Sequence, residues 1–337
     1  MSASGKTESK NSLFIFLVSL SLLFTLLTVI LSAYIRLSVN GLGCIEWPDC
    51  FGHVNLVTQH QGIDVLTKAG ANMQHTGLRT LHRLVASTLG IFVVVIAIMA
   101  LRRRGIPEHI GKGIPLWILA ITVFLSWLGY ATPSPLLPAV TLGNLLGGML
   151  MLAMLWWLSQ RSIIKESSQP IHTSHLRPHS IIALVLLAIQ LALGASTSAW
   201  FAGPACTEIL SCSGARWSLS ALNVFQNLSV DGQGKVLNSG TAEMIHLSHR
   251  IGAMLVSLYL LWLSLRIISY KDRLKASAMT LLCLLGLQLA LGLSSIALQL
   301  PLLLVTLHNA IAALLLLTAI NLLHLLTPPS TQAAKGR

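Results

Sequence analysis

Eight long runs of apolar residues, separated by shorter polar segments, dominate the chain. Each run contains about the 20 residues that a helix needs to cross the hydrocarbon core of a bilayer. Backbone amides inside lipid have to be paired within their own segment, so each run is predicted to be a transmembrane helix. The predicted spans are 13–33, 79–101, 114–131, 139–158, 180–200, 243–267, 276–297 and 303–325.

Composition and charge support a membrane protein and set its orientation. A mean hydropathy of +0.75 with 9% charged residues excludes an ordinary soluble domain. Most of the 22 Lys and Arg lie in segments on the same side as the N-terminus, which predicts that both termini are cytoplasmic. The net charge of +12 is therefore a topology signal and does not indicate nucleic-acid binding. We expect a multi-pass protein of a bacterial-type inner (plasma) membrane with an uncleaved first span.

One arrangement of cysteines and histidines occurs twice, about 160 residues apart. Each copy has two cysteines separated by five residues, a Glu two positions after the first cysteine, and a His-Arg pair opening an apolar run. The first copy comprises Cys44, Glu46, Cys50 and His82-Arg83, and the second comprises Cys206, Glu208, Cys212 and His249-Arg250. The duplication predicts an all-α integral membrane protein whose eight helices form two pseudo-symmetric four-helix bundles.

The predicted organisation has two halves joined by a polar linker. The segments are a cytoplasmic N-terminal tail at 1–12, an N-terminal half at 13–158, a cytoplasmic linker at 159–179, a C-terminal half at 180–325 and a cytoplasmic tail at 326–337.

Four of the five cysteines lie in two long segments that the predicted topology places outside the cytoplasm. Thiols oxidise in that environment, so we expect local disulfides Cys44–Cys50 and Cys206–Cys212. The second pair is interpreted as a structural link, whereas the first is a structural link or a redox-active pair. Cys283 lies in mid-membrane and is interpreted as a packing residue.

Three histidines are predicted at the same depth, near the outer ends of their helices. His249 and His308 lie on two helices that start at the outer face, and a neutral imidazole is a good axial ligand for haem iron. A zinc site is the less favoured alternative, since only Glu243 is available as a further ligand. His82 is the corresponding iron ligand of the first half, but its partner position holds Gly143 or Asn144.

Arginines accompany these histidines. Arg36, Arg83 and Arg250 are predicted either to pair with haem propionates or to anchor helix ends at the membrane interface. Gln190 and Gln288 stand in a repeated Gln-Leu-Ala-Leu-Gly sequence and are predicted to form interhelical hydrogen bonds.

These residues resemble the haem A synthase family. The resemblance is carried by Gly41-Leu-Gly43-Cys44-Ile-Glu-Trp47-Pro48-Asp-Cys50, by the histidine helices at 82, 246–250 and 306–309, and by the whole span of about 13–325. It implies a haem b cofactor held by His249 and His308. It also implies haem O as substrate at His82, with its ring methyl oxidised stepwise to the formyl of haem A for terminal oxidases. Implied partners are the lipid bilayer, a haem O synthase and oxidase assembly factors, with a homo-oligomer as a further expectation.

The first half departs from the family pattern at three positions. Arg79 stands where the family has Glu, Gly143 or Asn144 where it has a second histidine, and Leu125 where it has Gln. Glu46 is a candidate replacement for the missing carboxylate. Two alternatives therefore remain beside an altered haem A synthase: a relative that binds haem b without turnover, and a membrane thiol-disulfide oxidoreductase.

Overall fold

Eight helices account for nearly all of the structure, which is a computed structural model. It describes residues 3–39, 73–107, 110–131, 136–163, 175–206, 212, 222–231, 235–237, 240–270 and 272–327. The helices are α1 Ala3–Val39, α2 Met73–Arg102, α3 Gly113–Ala131, α4 Pro138–Ile163, α5 Leu176–Ala199, α6 Thr241–Ile267, α7 Asp272–Ala297 and α8 Leu302–Leu325. All eight are long and apolar enough to cross a membrane, which confirms the predicted spans and the all-α membrane fold.

The helix ends follow from local chemistry. Past the end of α2, Arg103 and Gly105 take positive φ angles of 51° and 71°, a conformation that cannot continue a helix. Pro138 is the first residue of α4, a position at which proline loses no backbone hydrogen bond. α4 runs to Ile163 and α5 begins at Leu176, so both helices extend into the range predicted as linker.

In each half of the chain, the four helices pack around a ring in the same order. In the first half, α1 packs on α2 and α4, and α3 packs on the same two helices. In the second half, α5 packs on α6 and α8, and α7 packs on the same two helices. Within each ring the second and fourth helices are therefore diagonal neighbours. This repeated order is consistent with the predicted pseudo-symmetry.

The two halves join along α1 and α4 of the first and α5 and α8 of the second. One apolar core, which includes Val29 and Leu152, continues across this seam into the second half. A second core, around Phe14 and Ile96, belongs to the first half alone. Only 17% to 39% of the most apolar window of each span is buried. Large apolar side chains such as Leu23, Ile91 and Leu258 are exposed, as expected of helices that face lipid.

Two faces of the bundle are used below to describe positions. The amino-terminal face is where α1, α3, α5 and α7 begin, and the cysteine face is where α2, α4, α6 and α8 begin. At the cysteine face, residues 222–231 of the second half cover the start of α4 in the first half. The amide of Ala139 donates to the Val224 carbonyl and the amide of Leu228 donates to the Leu136 carbonyl, both at 2.9 Å.

Candidate functional site

His249 and His308 meet inside the second half. His249 is the ninth residue of α6 and His308 is the seventh residue of α8, so both lie about two turns below the cysteine face. Because α6 and α8 are diagonal neighbours, the two side chains approach each other across the interior of the ring. Their ring centroids are 6.5 Å apart with the ring planes at 77°. The structure therefore brings the two predicted iron ligands together.

The two flanking helices hold these imidazoles through glutamines. On α5, Gln190 Nε2 donates to the His249 carbonyl at 3.0 Å and lies 3.0 Å from His249 Nδ1. On α7, Gln288 Nε2 lies 3.0 Å from His308 Nε2. The sequence pattern predicted interhelical hydrogen bonds for both glutamines but did not identify the histidines as their partners. A ligating imidazole donates the N–H of its second ring nitrogen to an acceptor, which orients the ring and tunes its basicity, and the amide oxygens of the two glutamines are acceptors of this kind.

Glycines one turn from each glutamine make room for the rings. Positions four residues apart share one face of a helix, so Gly194 follows Gln190 and Gly292 follows Gln288 on the same face. A Cβ atom on Gly194 would lie 3.1 Å from His249 Cε1, and one on Gly292 would lie 3.2 Å from His308 Cε1. The repeated Gln-Leu-Ala-Leu-Gly sequence therefore supplies a hydrogen bond and a gap for one histidine in each copy.

This site fits an iron held between two imidazoles. Two metal–nitrogen bonds of about 2 Å each, together with the ring radii, account for a centroid separation of the observed size. His308 Nδ1, Gln190 Oε1 and Gln288 Oε1 are buried without a hydrogen-bond partner, which indicates a polar site suited to a further group. No group of three or more His, Cys, Asp or Glu that could hold a metal occurs in the described ranges, so the zinc alternative gains no support there.

The arginines differ in their surroundings. Arg250 Nη2 donates to the Cys206 carbonyl at 2.6 Å, and Arg83 is exposed. Arg36 Nη1, on α1 of the first half, donates to Ser198 Oγ on α5 of the second half. Arg36 Nε and Nη2 are buried without a partner. A buried guanidinium is costly unless an anion pairs with it, so Arg36 provides a cationic position at the seam between the halves.

In the second half, the cysteine pair lies next to the first turn of α6. Cys206 and Cys212 form a disulfide with their Cα atoms 5.1 Å apart. Both sulfur atoms lie near the carbonyl oxygen of Glu243, at 3.7 and 3.5 Å. The hydrogen bond from Arg250 to Cys206 fixes the beginning of the same loop. Cys44, Cys50 and Glu46 lie outside the described residues.

The first half has no counterpart of the histidine pair among its described side chains. His82 is partly buried on α2, at the position that corresponds to His249 on α6. The position that corresponds to His308 holds Gly143 or Asn144, and a Cβ on Gly143 would lie 2.6 Å from Leu128 Cδ2. One turn on, a Cβ on Gly147 would lie 2.7 Å from Leu125 Cδ2. Leucines of α3 therefore fill the space against α4 that a second histidine would need.

The comparisons with known proteins agree with this arrangement. The profile of the cytochrome oxidase assembly protein family (COX15-CtaA) matches residues 15–320. The chain belongs to this family. A curated relative, the Heme A synthase of Shewanella oneidensis strain MR-1, is 32% identical over 334 residues, covering 95% of this chain and 98% of the relative. The family match begins in α1 and ends in α8, so it includes both halves and both histidine helices of the second half. The predicted family resemblance is confirmed.

Proposed function

We propose that this protein is a haem A synthase, which oxidises the ring methyl of haem O to the formyl of haem A for the assembly of terminal cytochrome oxidase. Membership of the cytochrome oxidase assembly protein family and the full-length similarity to a Heme A synthase support this function. The single structural observation that carries it is the facing pair His249 and His308, 6.5 Å apart inside a membrane-spanning bundle.

We assign the second half as the site of a resident haem b. His249 and His308 would hold its iron, and Gln190 and Gln288, each 3.0 Å from a ring nitrogen, would orient the two imidazoles by accepting from that N–H. When bound, haem b supplies one-electron transfer. Arg36 and Arg250 are the candidate propionate partners on the cysteine-face side. Arg36 has the stronger structural support of the two, since two of its nitrogen atoms are buried without a partner.

We assign the first half as the site of haem O, with His82 as its iron ligand. Leu128 and Leu125 occupy the space beside Gly143 and Gly147, so His82 is the one axial histidine that the described part of this half offers. A single ligand leaves the second side of the substrate iron open to a small molecule. Arg79 replaces a carboxylate, so we further propose that the proton acceptor comes from elsewhere, with Glu46 as the candidate.

A direct assay tests the proposed function. The protein is expressed in cells that make haem O but no haem A, and the haem extracted from their membranes is separated by chromatography. We expect haem A to accumulate when the full-length chain is present. A protein that shows a b-type absorption spectrum but produces no haem A would instead be a haem-binding relative without turnover. Protein without any haem spectrum would favour the thiol-disulfide alternative.

Replacing Gly292 by alanine is expected to weaken haem b binding by about tenfold, or about 1.4 kcal/mol. The new methyl group would approach the His308 ring to 3.2 Å and displace it, and overpacking of this kind costs about 1–3 kcal/mol. The measurement is a titration of the purified apoprotein with haem, followed by absorption.

Gly286→Ala on the same helix is the matched control. A Cβ at Gly286 meets no atom within 4 Å, and both substitutions change helix propensity equally. Equal haem affinities of the two variants would show that the glycine gap is not part of the haem site.

A further inference from the structure

A crevice opens on the amino-terminal face, where α4 of the first half meets α7 and α8 of the second. Its volume is about 600 Å³. Its mouth is formed by the polar side chains of Gln160, Arg273, Ser277, Thr280 and Asn321. Leucines from α7 and α8, including Leu284 and Leu314, and Trp156 of α4 line the rest. Neither the family assignment nor the proposed reaction uses this crevice.

The amides and hydroxyls at the mouth form a hydrogen-bonded chain across the seam. Gln160 Nε2 donates to Asn321 Oδ1 at 2.9 Å, and Asn321 Nδ2 donates to Ser277 Oγ at 3.2 Å. This chain connects α4 to α8 and α8 to α7, so it holds the two halves in register. The amide and hydroxyl groups of this chain pair with one another. Internal packing therefore explains these groups but not the charge of Arg273.

Arg273 lies at the amino-terminal end of a helix long and apolar enough to cross a membrane. It is the second residue of α7, exposed, and close to the positive end of the helix dipole. Among the residues that line the crevice, Arg273 alone is charged. Asp272 is the acidic residue in the first turn of α7 and also faces solvent. The mouth therefore has a net positive charge at the level expected for lipid headgroups.

The depth of the crevice suits a lipid tail. Arg273 and Leu284 lie on the same helix and are separated by about 16 Å at 1.5 Å per residue. The lining is charged at Arg273, carries hydroxyl groups at Thr280 and Thr318, and is apolar at Leu284 and Leu314. A molecule with an anionic head and a long hydrocarbon chain matches this gradient, whereas a small polar solute matches only the mouth.

We propose that this crevice binds one anionic phospholipid, with its phosphate at Arg273 and one acyl chain between α4, α7 and α8. Basic pockets between transmembrane helices recognise anionic headgroups in this manner, and the guanidinium pairs with phosphate through charge-assisted hydrogen bonds. Because the crevice lies on the seam, the bound lipid contacts both halves and stabilises their association.

The test uses the full-length protein purified in detergent and stripped of lipid. Phosphatidylglycerol and phosphatidylcholine with identical acyl chains are added separately, and bound lipid is counted by native mass spectrometry, with the thermal unfolding temperature as second readout. We expect one phosphatidylglycerol per protein and a higher unfolding temperature, with phosphatidylcholine binding more weakly. Arg273→Gln should weaken phosphatidylglycerol binding roughly fivefold or more.

Two further variants make the outcome decisive. Lys275→Gln removes the same charge two residues away, outside the crevice lining, and should bind phosphatidylglycerol like the unmodified protein. Leu314→Trp fills the apolar part and should prevent binding although Arg273 is intact. Equal binding of both lipids, equal loss in the two charge variants, or occupation of the crevice by a quinone in place of phospholipid would overturn the proposal.

Discussion

Replacing either His249 or His308 by alanine is expected to abolish the reduced, low-spin b-type absorption of the purified protein. The two imidazoles face each other at 6.5 Å and belong to helices that lie diagonally across the second half. Removing one of two axial ligands removes a metal–nitrogen bond and leaves the remaining imidazole to hold the iron alone. The measurement is the reduced-minus-oxidised absorption spectrum per mole of protein. We expect the b-type absorption to fall at least about tenfold, since replacing a residue that only hydrogen-bonds to a metal ligand already costs about that much metal affinity.

His324→Ala is the matched control for this experiment. His324 lies on α8 with His308 but sixteen positions further along, where its ring stacks edge-on against Trp157 with centroids 5.4 Å apart. Its replacement removes an imidazole of the same helix without touching the facing pair, so the spectrum should be retained. An unchanged spectrum in His249→Ala or His308→Ala would remove the assignment of the second half as the haem b site.

His82→Ala is expected to abolish haem A formation while leaving the b-type spectrum intact. His82 lies on α2 of the first half, whereas the proposed iron ligands of haem b lie on α6 and α8, so the two sites are separable. Losing a ligand should cost at least the roughly 10–100-fold that outer-shell changes cost. Haem A extracted from membranes is compared with the b-type absorption of the same membranes.

Thr88→Ala serves as control on the same helix. The Thr88 hydroxyl donates to the Leu84 carbonyl within α2 at 2.9 Å and makes no hydrogen bond to another helix, so the variant should retain haem A formation. If His82→Ala formed as much haem A as the unmodified protein, His82 would not be the substrate-side ligand. The first half would then have to hold haem O through residues outside the described ranges.

The first half differs from the second in its helix packing as well as in its candidate iron ligands. In the second half, α7 carries the glycine and α8 carries the histidine that fills the gap. In the first half α3 also has a glycine, Gly129, where an added Cβ would meet no atom within 4 Å, but Gly143 and Gly147 of α4 pack against leucines of α3. Introducing a histidine at Gly143 alone would therefore create a clash with Leu128. A second axial ligand could be restored there only together with a smaller residue at 128.

Much of this architecture could be predicted from the sequence because lipid imposes simple rules. A helix that crosses the membrane requires about 20 apolar residues, so the eight spans could be located within a few positions of their observed ends. The positions of His249 and His308 near the starts of two helices that begin at the same face predicted one depth for both. Family motifs then identified the chemistry, and the family match agrees.

Tertiary structure alone decided how the helices surround the site. Hydropathy does not specify which helix packs on which, because every lipid-exposed face is apolar. The diagonal placement of α6 and α8, the pairing of Gln190 with His249 and of Gln288 with His308, and the leucines beside Gly143 all depend on that packing. Sequence determined which residues reach a given depth in the membrane, and packing around the ring determined which of them meet.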